Sequence, residues 1–419
     1  MKSLAVLALV SGCFSLTYGA EHPTRVWTAL AGNTVEASFV KVEGAMVFLK
    51  LENGKEVRVA KSKLCESDRS YLEALEKPAV NHELPFEYGA VSQEQKLSKD
   101  DTVSYYMYVP KSLKSAHSWP VLFVFNPGGG SPETLNRYIP GATRNGWALV
   151  VSVQSKNGEK RPPEEIVYPM VDEVIARFPI DDKRVYASGH SGGTRVAGLL
   201  GEHMKKKGFA GLLANGAGVG YDRVYMQSPK SSIYALCGSN CFNRWDMPKS
   251  LDQISCKNKK LVLFPGNHDW ASEAYMTEGM SMLTGWFLKD AGGMSTPYAT
   301  EITCFVEREL EELKSLKETQ PGKALMWAQL LSEFKLPAEL SEQVRKEAAA
   351  LRTNKEALTY QEAEKALDAL MKKHFIVSDH ARCMKRADPA ASKAAKALAE
   401  QYADTPFAEV FRRLAEPSV

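Results

Sequence analysis

Residues 184–193 read RVYASGHSGG, and this stretch decides the expected fold. Its first half is typical of a short buried strand, and helical spacing follows over residues 194–206. A serine in a G-x-S-x-G turn between strand and helix fits a nucleophile elbow, in which flanking glycines leave room for a strained backbone. Ser191 is therefore the candidate nucleophile. The N–H of Gly192, at the positive end of the helix, is a candidate oxyanion donor.

A glycine-rich loop supplies the second expected donor. Residues 120–125 read as a buried strand that leads directly into NPGGG at residues 126–130. Because proline has no N–H, the N–H of Gly128 is the expected partner of Gly192 in an oxyanion hole. Asn126, at the start of this loop, is expected to line the substrate pocket.

The candidate general base comes late in the chain. Residues 260–264 read as the last strand, and PGNHDW follows at residues 265–270. His268 thus lies on the loop where a histidine can accept the proton of the serine. His190 is next to the nucleophile in sequence, so it is expected to line the pocket instead.

Apolar runs alternate with helical patterns throughout the middle of the chain. The further expected strands and helices lie at residues 103–109, 148–153, 208–214 and 232–237, and at residues 164–178 and 271–289. Such alternation predicts an α/β fold with a mostly parallel sheet covered on both faces. We assign this domain to residues 100–293.

Taken together, the GHSGG turn, the NPGGG loop, residues 180–186 (IDDKRVY) and the GNHDW segment resemble the α/β-hydrolase superfamily. Within it they are similar to secreted esterases related to polyhydroxybutyrate depolymerases, feruloyl esterases and dienelactone hydrolases. The resemblance implies a mostly parallel sheet covered by helices. It also implies a Ser-acid-His mechanism without cofactor or metal, acting on an ester-type small-molecule or polymer substrate.

One segment departs from that pattern. The relatives carry the triad acid in a segment like G-x-x-D-F-N, and residues 238–243 here read GSNCFN. Cys241 occupies the position of the carboxylate, and a thiol cannot orient the imidazole and stabilise its cation as a buried carboxylate does. Asp246 is the expected substitute, with Asp222 as a second candidate.

The cysteine also motivates an alternative function, a catalytically impaired hydrolase fold that acts as a binding or scaffold module. A peptidase of the prolyl oligopeptidase type is a weaker third interpretation, because the chain has no room for the propeller that such enzymes carry.

The first residues predict export and a small barrel. Residues 1–20 resemble a signal peptide, and their apolar run, residues 4–10, is shorter than the roughly 20 residues that cross a bilayer. We expect a secreted or periplasmic protein; the alternative is a lipoprotein anchored to the membrane through Cys13. Residues 25–74 show short strands and an Asn-Gly turn, and they resemble the Sla-one homology domain, a small β-barrel that could bind a protein or cell-surface partner.

Residues 75–99 are expected to be a linker, and residues 294–419 a C-terminal α-helical domain. The 53 Lys and Arg against 50 Asp and Glu leave a net charge of +3, so nucleic acid is not an expected partner. No paired CxxC or HxxxH pattern indicates a metal site. Whether Cys237, Cys241 and Cys256 form a disulfide stays open.

Overall fold

A computed structural model of the chain describes residues 24–30, 33–65, 68–69, 71–72, 82–219, 228–294, 296–376 and 388–417. The proposed export signal, Cys13 and Asp222 lie outside these residues. The chain forms two compact units. One comprises Met1–Lys77, Leu288–Glu312 and Leu331–Glu347, and the other comprises Pro78–Phe287, Leu313–Leu330 and Ala348–Val419.

The first unit contains a four-stranded antiparallel sheet in sequential order. Inward-facing residues such as Trp27, Val47 and Leu49 alternate with more exposed ones, so one face of the sheet packs into a core. This confirms the small N-terminal β domain predicted from the sequence. Its strands are β1 (Thr24–Thr28), β2 (Thr34–Glu43), β3 (Met46–Leu51) and β4 (Glu56–Ala60).

A buried arginine joins this sheet to a later part of the chain within the same unit. The guanidinium of Arg25 forms an ion pair with Asp68 at 2.8 Å, and both side chains are fully buried. Its Nε donates to the carbonyl of Met294 at 2.6 Å. Residues 294–419 therefore do not form a unit of their own, because part of that helical region shares a compact unit with the β domain.

The second unit is built on an eight-stranded sheet with the order β12-β11-β10-β9-β7-β8-β6-β5. Only β6 runs against the other strands, since it pairs antiparallel with both of its neighbours while the remaining pairs are parallel. The strands are β5 (Gln95–Lys96), β6 (Ser104–Tyr108), β7 (Trp119–Phe125), β8 (Ala148–Ser152), β9 (Ile180–His190), β10 (Phe209–Asn215), β11 (Ser228–Gly238) and β12 (Cys256–Phe264).

Helices connect and cover these strands, which confirms the predicted α/β fold class. Those of the α/β region are α1 (Pro132–Asn136), α2 (Ile139–Asn145), α3 (Pro163–Arg177), α4 (Gly192–Met204), α5 (Asp246–Gln253) and α6 (Glu273–Asp290). The later ones are α7 (Ala299–Leu316), α8 (Pro321–Leu331), α9 (Ala338–Leu351), α10 (Lys355–His374), α11 (Pro389–Gln401) and α12 (Phe407–Leu414). None of the helices in the described ranges combines the length and hydropathy needed to cross a bilayer.

The segment expected to be a linker is partly integrated into the second unit. Residues 82–99 include β5, and Leu97 is buried in the core of the sheet. Phe86 and Tyr88 pack against the same core. Scattered Pro and Gly concealed this role, because edge segments and linkers have similar composition.

The topology brings four loops to one edge of the sheet. Strands β7, β9, β11 and β12 are parallel, so the loops that follow their carboxyl ends meet there. These loops carry the NPGGG segment, Ser191, Cys241 and His268.

Candidate active site

Ser191 stands at a sharp turn between β9 and α4. Its φ of 53° and ψ of −120° make it the one residue other than glycine with a positive φ in the described ranges. Its N–H donates to the carbonyl of Asn215, at the end of β10, with an N···O distance of 2.9 Å. Such a strained conformation lifts the side chain of the serine out of the turn.

The glycines of the turn are required by close approach of the backbone. A Cβ at Gly189 would overlap the peptide group of Gly193, and a Cβ at Gly193 would overlap the carbonyl of Phe125. Backbone atoms on both sides leave no room to adjust. The GxSxG spacing therefore follows from packing of the elbow against β7.

His268 reaches the serine from the loop after β12. Its Nε2 lies 2.9 Å from Ser191 Oγ, within hydrogen-bond distance. The ring of Phe242 packs against the imidazole with centroids 3.9 Å apart. The structure thus brings together the two residues that the sequence analysis chose as nucleophile and general base.

The other ring nitrogen of His268 meets Cys241. The distance from Cys241 Sγ to His268 Nδ1 is 3.0 Å, and the cysteine is fully buried. The backbone N–H of Asn243 donates to the same sulfur at 3.3 Å. Cys241 therefore occupies the place next to Nδ1 where a triad carboxylate would stand.

Asp246, the acid expected from the sequence, is used elsewhere. Its Oδ2 accepts the N–H of Gly218 at 2.9 Å and lies 3.5 Å from Arg195. Asp246 is also the first residue of α5, where a carboxylate is favoured by the helix dipole. The expectation that Asp246 is the triad acid is therefore corrected. The carboxylate of Asp246 connects the loop after β10 to α5, and Cys241 contacts the imidazole of His268 instead.

The thiol of Cys237 strongly affects the ionisation of Cys241. Its hydrogen bond to the sulfur, followed by the contacts of His268 and Asn243, lowers the pKa of Cys241 from 9.0 to about 6 against the opposing effect of burial. The same hydrogen bond and burial raise the pKa of Cys237. The environment thus favours a thiolate at Cys241 and a protonated thiol at Cys237.

The expected oxyanion donors differ in availability. Gly192 is the first residue of α4, so its N–H has no acceptor within the helix. The N–H of Gly128 instead donates to the side chain of Asn126 at 3.1 Å. Asn126 in turn donates to Thr134 at 3.1 Å, so this side chain shapes the loop rather than presenting its amide to a pocket.

Asn157 is a polar residue beside the elbow that the sequence analysis did not single out. A Cβ built at Gly192 would overlap its carboxamide, which places that group against the start of α4. The backbone N–H of Asn157 donates to the carbonyl of Pro127 with an N···O distance of 2.8 Å. No local sequence signal marks this asparagine, because its position depends on contact between two loops.

His190 packs behind the candidate base. Its ring lies 4.7 Å from that of His268 and stacks with Trp270 at 4.9 Å, measured between centroids. Burial, followed by the nearby His268 and Arg137, lowers the pKa of His190 from 6.5 to about 4. The imidazole is therefore neutral at pH 7 and supports the site from inside, in contrast to the pocket-lining position expected for it.

A separate cavity of about 1130 Å³ lies at the β12 edge of the second unit. Residues of β12, α8 and α10 line it, including Lys260, Met326 and Tyr360, and neither Ser191 nor His268 is among its lining residues.

Among the described cysteines none forms a disulfide, so Cys237, Cys241 and Cys256 are free cysteines.

The model of the SLA1 homology domain 1 (SHD1) family matches residues 19–79 of this chain. No curated protein matches the sequence. Solved structures that resemble the chain include the fluorophosphonate-binding serine hydrolase FphF of Staphylococcus aureus, at 14% identity and a TM-score of 0.36, over 47% of this chain and 99% of FphF.

A putative dienelactone hydrolase from Klebsiella pneumoniae has 16% identity and a TM-score of 0.36, over 48% of this chain and 99% of its own. Est1E from Butyrivibrio proteoclasticus with bound ferulic acid has 13% identity and a TM-score of 0.35, over 47% and 98%.

Proposed function

We propose that this protein is a serine hydrolase that transfers the acyl group of a carboxylic ester to water. The observation that carries the proposal is the 2.9 Å contact of Ser191 Oγ with His268 Nε2, made at a turn whose positive φ exposes the serine. A hydroxyl becomes a competent nucleophile when a base within hydrogen-bond distance takes its proton.

In the proposed reaction, Ser191 Oγ attacks the ester carbonyl while its proton passes to His268 Nε2. The tetrahedral oxyanion accepts the N–H of Gly192, and the positive end of α4 favours the developing negative charge. We assign the second donor to Gly128, whose N–H must exchange Asn126 for the oxyanion. Collapse of the intermediate expels the alcohol, which takes the proton from His268, and water then releases the acyl group by the same steps.

The exposure of the site supports an ester carried on a large group. Ser191 and His268 are half-buried, and the neighbouring Gly128, Asn267 and Asp269 are exposed, so the reacting atoms lie near the surface. A long chain can cross such a site without entering an enclosed pocket. We therefore propose esters of carbohydrates or polymers as the first substrate class to examine.

Labelling with a fluorophosphonate probe tests the proposal directly. The wild-type protein should be labelled, and Ser191→Ala should not be. Ser341→Ala, which removes an exposed serine of α9, should be labelled like the wild type. A panel of short- and long-chain aryl esters then measures the acyl preference.

Absence of labelling in well-folded wild-type protein would reject the enzyme and favour the binding or scaffold module that the cysteine at the acid position first suggested.

We further propose that the protein acts outside the cytoplasm, on the basis of the apolar run of residues 4–10. Cell fractionation of the full chain tests this. A Cys13→Ala variant distinguishes a lipid anchor from secretion, because only a lipidated protein would leave the membrane fraction when Cys13 is replaced.

A further inference from the structure

The sulfur of Cys241 has several hydrogen-bonding groups around it. His268 Nδ1 lies 3.0 Å away, and the N–H of Asn243 donates to the sulfur at 3.3 Å. Cys237, at the end of β11, interacts with the sulfur as well, while its thiol also contacts the carbonyl of Gly238 at 3.5 Å.

A protonated Cys241 would donate either to the carbonyl of Gly216, at the long distance of 3.8 Å, or to an unprotonated His268 Nδ1. In the tautomer that leaves Nε2 free for Ser191, Nδ1 carries the proton. The sulfur then faces donors at Nδ1 and Asn243 and a distant acceptor at Gly216, which suits an anionic sulfur better than a neutral thiol.

The donors are held in place by groups that do not react. The side-chain amide of Asn243 donates to Gly216 at 2.7 Å, which fixes the turn that aims its backbone N–H at the sulfur. Cys237 is fully buried, so the partners of its thiol are protein groups, namely Cys241 and the carbonyl of Gly238. The ring of His268 is held against Phe242. The geometry around the sulfur is therefore preorganised.

The charges near the two cysteines also favour a negative sulfur. The guanidinium of Arg244 lies close enough to Cys237 and Cys241 that each sulfur raises its pKa, although burial lowers that pKa overall. Asp246 is the acidic neighbour, and it is engaged with Gly218 and Arg195. His268 faces the sulfur from the loop after β12, and Cys237 faces it from β11.

We propose that Cys241, as a thiolate, is the positioning residue that takes the place of the triad carboxylate. The inference rests on the proposed hydrolase function. The thiolate accepts a hydrogen bond from Nδ1–H, whose proton stays on the ring, and so holds His268 in the tautomer whose Nε2 is free to accept the proton of Ser191. When His268 takes that proton it becomes an imidazolium paired with the thiolate, and the proton later leaves with the alcohol. The sulfur is neither oxidised nor acylated.

A series of substitutions at Cys241 separates charge from shape. Cys241→Ala and Cys241→Asn should each lower kcat/KM by more than about 100-fold, because loss of the anionic partner of a catalytic histidine costs up to about 10⁴ in turnover. Cys241→Asp restores the charge and should stay within about 10-fold of the wild type. Unchanged kcat/KM in folded Cys241→Ala and Cys241→Asn overturns the proposal.

A spectroscopic titration tests the ionisation of Cys241 independently of catalytic turnover. The ultraviolet absorbance of a thiolate is measured against pH in Ser191→Ala protein and in the Ser191→Ala, Cys241→Ser double variant. The difference should show a thiolate at neutral pH that is lost as the pH falls through about 6, since the pKa of Cys241 is lowered to that value. Ionisation only above the ordinary pKa of a cysteine would overturn the proposal. Cys304→Ala, which removes an exposed cysteine, should leave this transition in place.

The two proposals fail in different ways. Unlabelled wild-type protein with a thiolate at neutral pH rejects the hydrolase and retains the charged sulfur. Ser191-dependent labelling with no effect of Cys241 substitution retains the hydrolase and rejects the positioning role.

Discussion

Substitution of Cys237 tests how this residue controls the ionisation of Cys241. Because the interaction with Cys237 is the largest of the effects that lower the pKa of Cys241, Cys237→Ala should raise that pKa. Activity that needs the thiolate is present above the pKa and lost below it. The acid limb of kcat/KM, which should lie near pH 6 in the wild type, should therefore move to higher pH in the variant.

The pH dependence of ester hydrolysis measures this, with Cys256→Ala in β12 as the matched control that should leave the profile unchanged. An acid limb that does not move in Cys237→Ala would show that the hydrogen bond between the sulfurs does not control the base.

The two neighbouring glycines at the start of α4 should respond differently to an added methyl group. Gly193→Ala would press a Cβ against the carbonyl of Phe125 in β7, which cannot move, and overpacking of this kind costs about 1–3 kcal/mol or more. Gly192→Ala meets the exposed carboxamide of Asn157, which can rotate away. Denaturant unfolding should thus show a large loss of stability for Gly193→Ala alone. Equal losses in both variants would contradict this packing.

At the residue scale, the positions of Ser191 and His268 could be predicted because Ser191 directly follows β9 and His268 lies in the loop after β12, and both strands belong to the parallel part of the sheet. The sequence also marked Cys241 as the residue at the acid position, whereas its proposed ionisation could not be predicted from the sequence. Its ionisation depends on Cys237, Asn243 and His268 together, and no sequence spacing shows that they converge on one atom. Asp246 was chosen for its charge, yet its partners became visible only in the folded chain.

At the scale of elements, the loop between β11 and α5 depends on the last helix. Arg244, which is buried, donates to Ser239 in its own loop at 2.7 Å and to Arg413 in α12 at 3.1 Å. It also bonds to the carbonyl of Glu416. Because Cys241 lies in the same loop, this arginine connects the end of α12 to the candidate site.

Arg244→Met should therefore reduce both stability and turnover. It keeps an apolar stem but leaves buried carbonyls without a donor, a loss of about 1–3 kcal/mol. Chemical denaturation and kcat on an aryl ester measure the two effects. Arg412→Met removes an exposed arginine of α12 that pairs with Glu409 and should change neither quantity. Full activity of Arg244→Met would show that the loop holds its shape without the last helix.

The elements themselves could largely be predicted, since the runs over residues 120–125, 148–153 and 260–264 correspond to β7, β8 and β12. Short helices were missed where composition gives no periodic signal. The helices α1 and α2 have five and seven residues, and proline lies near the start of each. Such pieces are stabilised by packing on the sheet rather than by their own helical propensity.

At the scale of the whole molecule, the division into compact units does not follow the order of the chain. The unit that contains the N-terminal sheet also includes Leu288–Glu312 and Leu331–Glu347, which come from the helical region. Sequence patterns predicted a barrel, a linker, an α/β domain and a helical domain in succession. They could not show that Arg25 donates a hydrogen bond to Met294, because a contact between residues so far apart along the chain produces no periodic pattern in the sequence.

This division predicts the result of removing residues 1–77. The deletion takes away Arg25, the partner of the Met294 carbonyl, and Tyr71, which interacts with Thr300 in α7. We expect residues 288–312 to become sensitive to limited proteolysis and the protein to aggregate more readily, since newly exposed apolar surface promotes association. The fraction that stays soluble should still be labelled at Ser191, because the sheet of the second unit retains its own core.

Removal of residues 1–20 alone is the control and should leave the cleavage pattern unchanged. A shortened protein that lacks residues 1–77, yet resists protease and unfolds at the temperature of the full chain, would show that the helical segments fold independently of the N-terminal sheet.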